Sequence, residues 1–457
     1  MNLKTYLSGM IKVKKIRLFL TISILVFLTW DCHRPLKASL SPVEVVGKWI
    51  DLTLQILQFT PANSPTFASR TLGYLGLTMY ESVVHSSPQH RSLAGQLQGL
   101  DSLPEPDKSM PYNWLVSFNA AQAEILRNIY IQTTQTNKLK IDSLERQILK
   151  ELNIGDQDVI RRSVTYGKNI ALTIFNWSTT DGGHRGYLHN FDKTLVHPNH
   201  PGAWQPPLFG QSFSHFPLHP HWGKNRTFVS KNGQLDLPVM VPFDTMPGSP
   251  YYQQFLAVYE QEKQLTMAQK EAAIWWSDDP DDTCTPPGHS YYIAGQVIKQ
   301  LQPDLVICAE TMARLGMALA DAFTNCWKWK YHFFSERPNT YINRYIDAGW
   351  ESFWPDPPFP AFPSGHAIQA GAAATVLENL YGSDITIVDS LHASRGQDRL
   401  RKVNFVARRF NGFWPMAEEI ANSRFYGGIH TPQDNAVGLD QGKIIAGHVN
   451  ALEWRVN

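Results

Sequence analysis

The chain has 457 residues, 43% of them hydrophobic and 18% charged, a composition that places it among globular proteins and excludes disorder as the default state. Its 41 basic residues against 40 acidic ones leave no bulk charge to draw the whole surface to nucleic acid or an anionic membrane. Any anion chemistry therefore depends on cations gathered locally.

At the N-terminus, Lys12, Lys14, Lys15 and Arg17 precede an apolar run from Leu18 to Trp30, which ends at Asp31 and Cys32. This is the layout of an export signal, and the thirteen residues of the run fall short of the roughly 20 that a bilayer span requires. Residues 1–32 are therefore expected to be a signal peptide, and the protein to be exported: periplasmic, secreted, or an outer-membrane lipoprotein. Cys32 is placed for lipid attachment, although Trp30 and Asp31 are bulky or charged where a lipoprotein site expects small residues. Mature structure is expected to begin at Ser41-Pro42-Val43-Glu44, which reads as an N-cap, a proline at the first helical position and a capping-box glutamate.

Helical signals then dominate. Pro42 to Gln58, Ser64 to His85, Asn113 to Gln135 and Lys138 to Trp177 carry apolar residues at intervals of three and four, and strand-like alternation is scarce. An all-α fold is expected, with residues 41–265 as an N-terminal helical region and residues 266–457 as a C-terminal one. Within the first, residues 178–250 read as a long loop, rich in aromatics between Trp204 and Trp222, that covers part of the protein. Its His184, His189, His197, His200, His215, His219 and His221 lack ligand spacing on a regular element and read as surface and capping residues. Cys284, Cys308 and Cys326 show no paired spacing and read as core residues. No segment after the signal is apolar for long enough to cross a membrane.

Helix is expected to resume near Thr266 and, after a proline-rich turn at Thr285-Pro286-Pro287-Gly288-His289, to continue into a long segment. There Met312, Leu315, Leu319, Phe323, Trp327 and Lys330 fall on one face. A lone lysine on such a face would extend to water, but Arg337 and Pro338 follow six residues later. A second cluster, Phe359-Pro360-Ala361-Phe362-Pro363-Ser364-Gly365-His366, opens an alanine-rich helix. Ser364 alone would be an ordinary N-cap, but Gly365 lets backbone approach a ligand and His366 can move protons near neutral pH. Free N–H groups at a helix start also favour an anion. A third cluster, Ser423-Arg424 and then His430, Thr431, Pro432 and Asp434, puts His430 at the mouth of another helix. Asp434, one turn on, is spaced to hold one ring nitrogen of His430.

Together the clusters resemble the signature of the type 2 phosphatidic acid phosphatase and vanadium haloperoxidase superfamily: Lys-x6-Arg-Pro, Pro-Ser-Gly-His and Ser-Arg-x5-His-x3-Asp. All eleven specified residues, from Lys330 to Asp434, are present. The resemblance implies a multi-helix bundle with long loops and few short strands, and a pocket for a tetrahedral oxyanion. In the haloperoxidase version the cofactor is vanadate, for which phosphate can compete. His430 is then the metal ligand, and Lys330, Arg337, Ser364, Gly365 and Arg424 hold the oxygens. His366 handles the proton of hydrogen peroxide, Lys330 polarises the bound peroxide, and halide becomes a hypohalous species. In the acid phosphatase version His430 attacks phosphorus to form a phosphohistidine while His366 protonates the leaving alcohol. A third reading is an exported protein that binds an anion without catalysis.

Features outside the signature favour the haloperoxidases. The superfamily's lipid phosphatases span the membrane several times and its soluble phosphatases are much shorter. Pro220-His221-Trp222-Gly223-Lys224 and Thr285-Pro286-Pro287-Gly288-His289 are similar to haloperoxidase segments, and Trp327, three residues before the lysine, is similar to the bacterial iodoperoxidases. Phe359 stands where many algal bromoperoxidases carry histidine, so Trp327 and Phe359 are the halide-side candidates and iodide is the expected halide. Oligomeric state and organic acceptor stay open on the sequence.

Overall fold

A computed structural model of the chain describes residues 40–206, 216–280 and 282–456. The expected signal peptide, Cys32 and His215 lie outside the described residues. Helices build almost all of it, and among the described residues the strands are two short ones, β1 (Thr386–Asp389) and β2 (Arg408–Asn411), paired antiparallel with Ile387 opposite Phe410.

The chain opens with α1 (Pro42–Phe59) and α2 (Pro65–Glu81). Ser41 caps α1 in the expected reciprocal box: its N–H donates to Glu44 at 2.7 Å and the Glu44 N–H donates to its hydroxyl at 3.2 Å. Then come α3 (Trp114–Ile129), α4 (Gln135–Leu152) and α5 (Gln157–Ser178). The single helical stretch expected from Lys138 to Trp177 is thus two helices. Asn153 takes a left-handed φ of 49°, which stops α4, and Asp156 caps α5 by accepting from the N–H groups of Asp158 and Val159. Both residue types favour helix ends for these reasons.

After the long loop, α6 (Pro250–Lys263) precedes α7 (Met267–Trp275), so helix resumes earlier than Thr266. Ser249 caps α6 and Pro250 fills its first position. The segment expected to be a proline-rich turn is the first turn of α8 (Thr285–Leu301), where Pro286 and Pro287 need no N–H partners. There follow α9 (Leu305–Phe333), α10 (Pro338–Tyr345), α11 (Gly365–Tyr381), α12 (Phe413–Tyr426) and α13 (Pro432–Asn450). No described helix is long and apolar enough to cross a membrane.

One main apolar core draws on residues from Val43 to Trp454, so the first and last described helices both pack into it. Its densest crossings use glycine to bring backbones together. Between α2 and α9, a Cβ on Gly76 would lie 2.2 Å from the Met312 carbonyl oxygen, and one on Gly316 would lie 2.3 Å from that of Leu72. Between α11 and α13, a Cβ on Gly371 would lie 2.4 Å from the Leu439 oxygen, and one on Gly442 2.1 Å from the Ile368 oxygen. The second crossing draws the N-terminal ends of α11 and α13 together, which is where the site forms. Cys284, Cys308 and Cys326 are buried and free, as expected.

The atoms that a Cβ on Gly442 would meet are backbone atoms of α11, which cannot swing aside, so alanine there forces α11 and α13 apart. Gly442→Ala is expected to destabilise the protein by about 1–3 kcal/mol in urea unfolding. Gly447→Ala on the same helix, where a Cβ meets nothing within 4 Å, is expected to be neutral or to stabilise by up to about 1 kcal/mol.

Candidate active site

The three sequence clusters converge. Arg337 precedes the first turn of α10, Ser364 caps α11, and Thr431 caps α13 with Pro432 in its first position. The Ser364 N–H donates to the Asp434 carbonyl oxygen at 3.0 Å, so the starts of α11 and α13 are tied directly. Lys330, Arg337, Ser364, Arg424, His430 and Asp434 are all at most 5% exposed.

His430 is held on both sides. Its Nδ1 donates to Asp434 Oδ2 at 3.0 Å, and its Nε2 accepts from Arg337 Nη1 at 3.0 Å. A nitrogen that accepts carries a lone pair, so the ring is neutral with its basic edge facing the cations. Burial, then Arg337, Lys330 and Arg424, hold its pKa well below the usual histidine value. The carboxylate of Asp434 is fixed in turn by the Thr431 N–H at 3.0 Å, and burial raises its pKa against that bond and the nearby cations.

The cations are heavily desolvated. Burial, reinforced by Arg337, pushes Lys330 down to about 7, and burial brings Arg337 and Arg424 each down to about 10. Lys330 donates to the carbonyls of Pro360, Ala361 and Pro363 at 2.9, 2.6 and 2.6 Å. Arg337 reaches Phe359 O at 3.0 Å and Ile429 O at 2.8 Å. Lys330 is therefore a brace of the Pro360–Pro363 segment, and it must release one carbonyl to reach an anion. Arg424 donates to Ala273 O at 2.6 Å and to Ser423 Oγ at 3.0 Å, while its Nη1 is buried with no partner among the described residues.

His366 sits in the first turn of α11. Although the side chain keeps some surface, its Nε2 is sealed and has no partner among the described residues. Burial, then Arg424, hold its pKa well below the usual value, against a hydrogen bond to the Ser277 backbone. A Cβ on Gly365 would make only ordinary contacts, 3.8 Å to Trp327 and 4.0 Å to Cys326, so protein packing alone does not demand glycine there.

Trp327 and Phe359 form an aromatic wall, ring centroids 4.9 Å apart. Lys330 Nζ lies 5.2 Å from the Phe359 ring centre. The long loop supports this wall: Trp327 Nε1 and Tyr331 Oη both donate to Leu218 O, at 3.1 and 2.6 Å. His219 stacks on Trp222 with ring centroids 4.7 Å apart and binds the Ser64 and Thr66 hydroxyls at the start of α2. His197 stacks on Trp204, and His221 pairs with Asp192 at 3.1 Å.

Three carboxylates near the pocket escaped sequence reasoning. Asp356 is buried beside Arg337, and burial pushes it up to about 7. Asp278 and Asp279 offset the burial of Arg424. None has a motif spacing to any signature residue. Only the nearness of Asp278 and Asp279 to the Thr285–His289 segment hinted at them.

The VCPO second helical-bundle domain matches residues 310–455. The solved structure of a bacterial vanadium-dependent iodoperoxidase superposes with a TM-score of 0.76 at 28% identity, covering 90% of this chain and 97% of that one. In its matched domain and in its fold the chain is similar to the vanadium haloperoxidases. The fold alone is shared with a bacterial vanadium-dependent chloroperoxidase at 16% identity. Its apo form gives a TM-score of 0.64 over 93% of this chain and 96% of that one, and its holo form gives 0.61 over 92% and 93%. No curated protein matches by sequence. All eleven signature residues lie inside the segment matching the haloperoxidase domain, whereas Asp278, Asp279 and Leu218 lie outside it.

With Lys330 held near 7, an entering anion restores its charge and draws in a proton. Binding of sulfate, whose own charge does not change near neutrality, is expected to take up roughly one proton at pH 8 and progressively less towards pH 6. Calorimetry in two buffers of different ionisation enthalpy reads this directly, and Lys330→Met is expected to abolish the uptake.

Proposed function

We propose that the protein is an exported, vanadate-dependent haloperoxidase that oxidises halide with hydrogen peroxide to a hypohalous species, and that iodide is its preferred halide. The observation that carries the choice of activity is the likeness to an iodoperoxidase along nine-tenths of the chain, because the pocket's donors would serve phosphate equally well. The basic N-terminal residues and apolar run support export, and Cys32 is the residue that would carry a lipid anchor.

The residues fit vanadate. Two buried nitrogens, His366 Nε2 and Arg424 Nη1, lack partners among the described residues, a state that costs about 1–3 kcal/mol per group unless a ligand completes it. The His430 Nε2 lone pair would bind the metal, and Arg337, Arg424, Ser364, the Gly365 N–H and, after releasing a carbonyl, Lys330 would donate to the oxygens. When bound, vanadate supplies a Lewis-acid centre that activates hydrogen peroxide towards halide.

The chain's own groups do the rest. Asp434 keeps the proton of His430 on Nδ1, so Nε2 stays basic. His366, kept neutral by burial, would accept a proton from hydrogen peroxide and give it up again. The buried cations stabilise negative charge in a site of low dielectric, where they need no reorganisation. Trp327 and Phe359 exclude water from the approach of halide, which favours iodide, the halide least costly to desolvate.

Protein freed of bound anions should be given orthovanadate and assayed for peroxide-driven iodide and bromide oxidation, beside aryl phosphate hydrolysis without vanadate. Vanadate-dependent iodide oxidation exceeding bromide oxidation is expected, and phosphate release with no halide oxidation would overturn the proposal. Asp434→Ala is expected to weaken vanadate binding about 10- to 100-fold, read by activity against vanadate concentration.

A further inference from the structure

The Thr285-Pro286-Pro287-Gly288-His289 segment carries a buried histidine that plays no part in holding the anion. In the first turn of α8, His289 Nδ1 lies 2.9 Å from Asp278 Oδ2, and its Nε2 lies 2.8 Å from Asp389 Oδ2. His392 Nε2 approaches the other oxygen of Asp278, Oδ1, at 2.8 Å. These four residues are at most 4% exposed. The ligating atoms of Asp278, His289 and His392 lie within 4.8 Å of one another.

Two imidazole nitrogens facing the two oxygens of one carboxylate make four donor atoms in one buried place, the number that a closed zinc site requires. The rings of His289 and His392 stand with centroids 5.1 Å apart and planes at 80°. Two imidazoles on one tetrahedral zinc, each with its nitrogen about 2 Å from the metal, put their ring centres about 5 Å apart. Asp389 supports the arrangement from outside: it faces the second nitrogen of His289, and its Oδ2 is held in turn by Trp275 Nε1 at 2.5 Å. A histidine that binds a metal through one nitrogen gives the N–H of the other to such a carboxylate, which fixes its tautomer and raises its basicity.

The backbone is strained at the same place. Asp278 has φ 49° and Thr285 φ 68°, left-handed values that cost energy, most of all in a β-branched residue, and that gather where a ligand is clamped. Thr285 lies one turn before His289, on the same face of α8. It is 1% exposed, and its hydroxyl has no partner among the described residues, so the face that carries His289 also carries an unused polar group.

We infer that Asp278, His289 and His392 form a structural zinc site, in which Asp278 offers both oxygens, His289 its Nδ1 and His392 its Nε2, while Asp389 orients His289. The site ties together the segment before α8, the first turn of α8 and the turn after β1. It is independent of the anion pocket and of the activity proposed there. A proton is the rival occupant: burial alone would strip it from His289, yet Asp278 and Asp389 hold the pKa of the ring at about 10. Zinc displaces that proton, so its binding weakens as the pH falls.

The test is made on the whole protein without vanadate, peroxide or halide, so its outcome leaves the halide activity to its own assay. Protein purified without chelators is expected to carry one zinc ion per chain by elemental analysis, and EDTA at pH 8 is expected to remove the zinc and lower the Tm. Cobalt(II) added to the stripped protein is expected to give the intense visible absorption of a tetrahedral site. His392→Gln is expected to lose the metal, the absorption and the effect of EDTA on Tm. Should His392→Gln fail to fold, Asp389→Asn, which leaves every ligand in place, is expected to weaken zinc binding about 10- to 100-fold. Protein that holds no zinc and gives no tetrahedral cobalt spectrum would overturn the inference, as would a folded His392→Gln or Asp389→Asn that binds zinc as tightly as the unmodified protein.

Discussion

Asp434 serves three contacts at once, and the site depends on them. Its carboxylate holds His430 Nδ1 and the Thr431 N–H, both at 3.0 Å, and its carbonyl receives the Ser364 N–H at 3.0 Å. The first contact sets the tautomer of the ring that faces the cations. The second completes the capping box of α13, and the third joins that helix to the start of α11. A buried carboxylate is tolerated only when its lone pairs are taken, so folding of the two helix starts and preparation of His430 are the same event. The glycine contacts of Gly371 and Gly442 bring the backbones close enough for it to happen.

Around that joint the protein accumulates unfavourable charge. Lys330, Arg337 and Arg424 are all buried, and their hydrogen bonds go to carbonyl oxygens, the Ser423 hydroxyl and the edge of His430. Burial lowers the pKa of each. A tetrahedral oxyanion would meet the unpartnered His366 Nε2 and Arg424 Nη1 and would restore charge to Lys330. The pocket is thus built for a ligand carrying several negative oxygens, and its affinity for that ligand draws on strain already present in the folded state.

Much of this was legible in the sequence because it depends on residues close along the chain. Ser41, Ser364 and Thr431 announce their caps by type and spacing, and His430 with Asp434 is one helical turn. The proline-rich segment at Thr285 misled for the opposite reason, since two prolines suit a first helical turn as well as a loop. The break at Asn153 was hidden by apolar periodicity that continues on either side of it. The partners of the pocket that come from afar had no local signature at all. Leu218 meets Trp327 across more than a hundred residues, and Asp278 reaches His392 across 114. Such pairings are set by how helices stack, which a single chain's pattern does not encode.

The His430 Nε2 lone pair is the bond to the metal that we propose for this pocket. X-ray absorption at the vanadium edge, together with a vanadium anomalous map from crystals grown with orthovanadate, tests it most directly. One vanadium bonded to His430 Nε2 is expected, with Arg424 Nη1 and His366 Nε2 within hydrogen-bond distance of its oxygens. Vanadium bound elsewhere, or held in this pocket with no nitrogen in its coordination sphere, would contradict it.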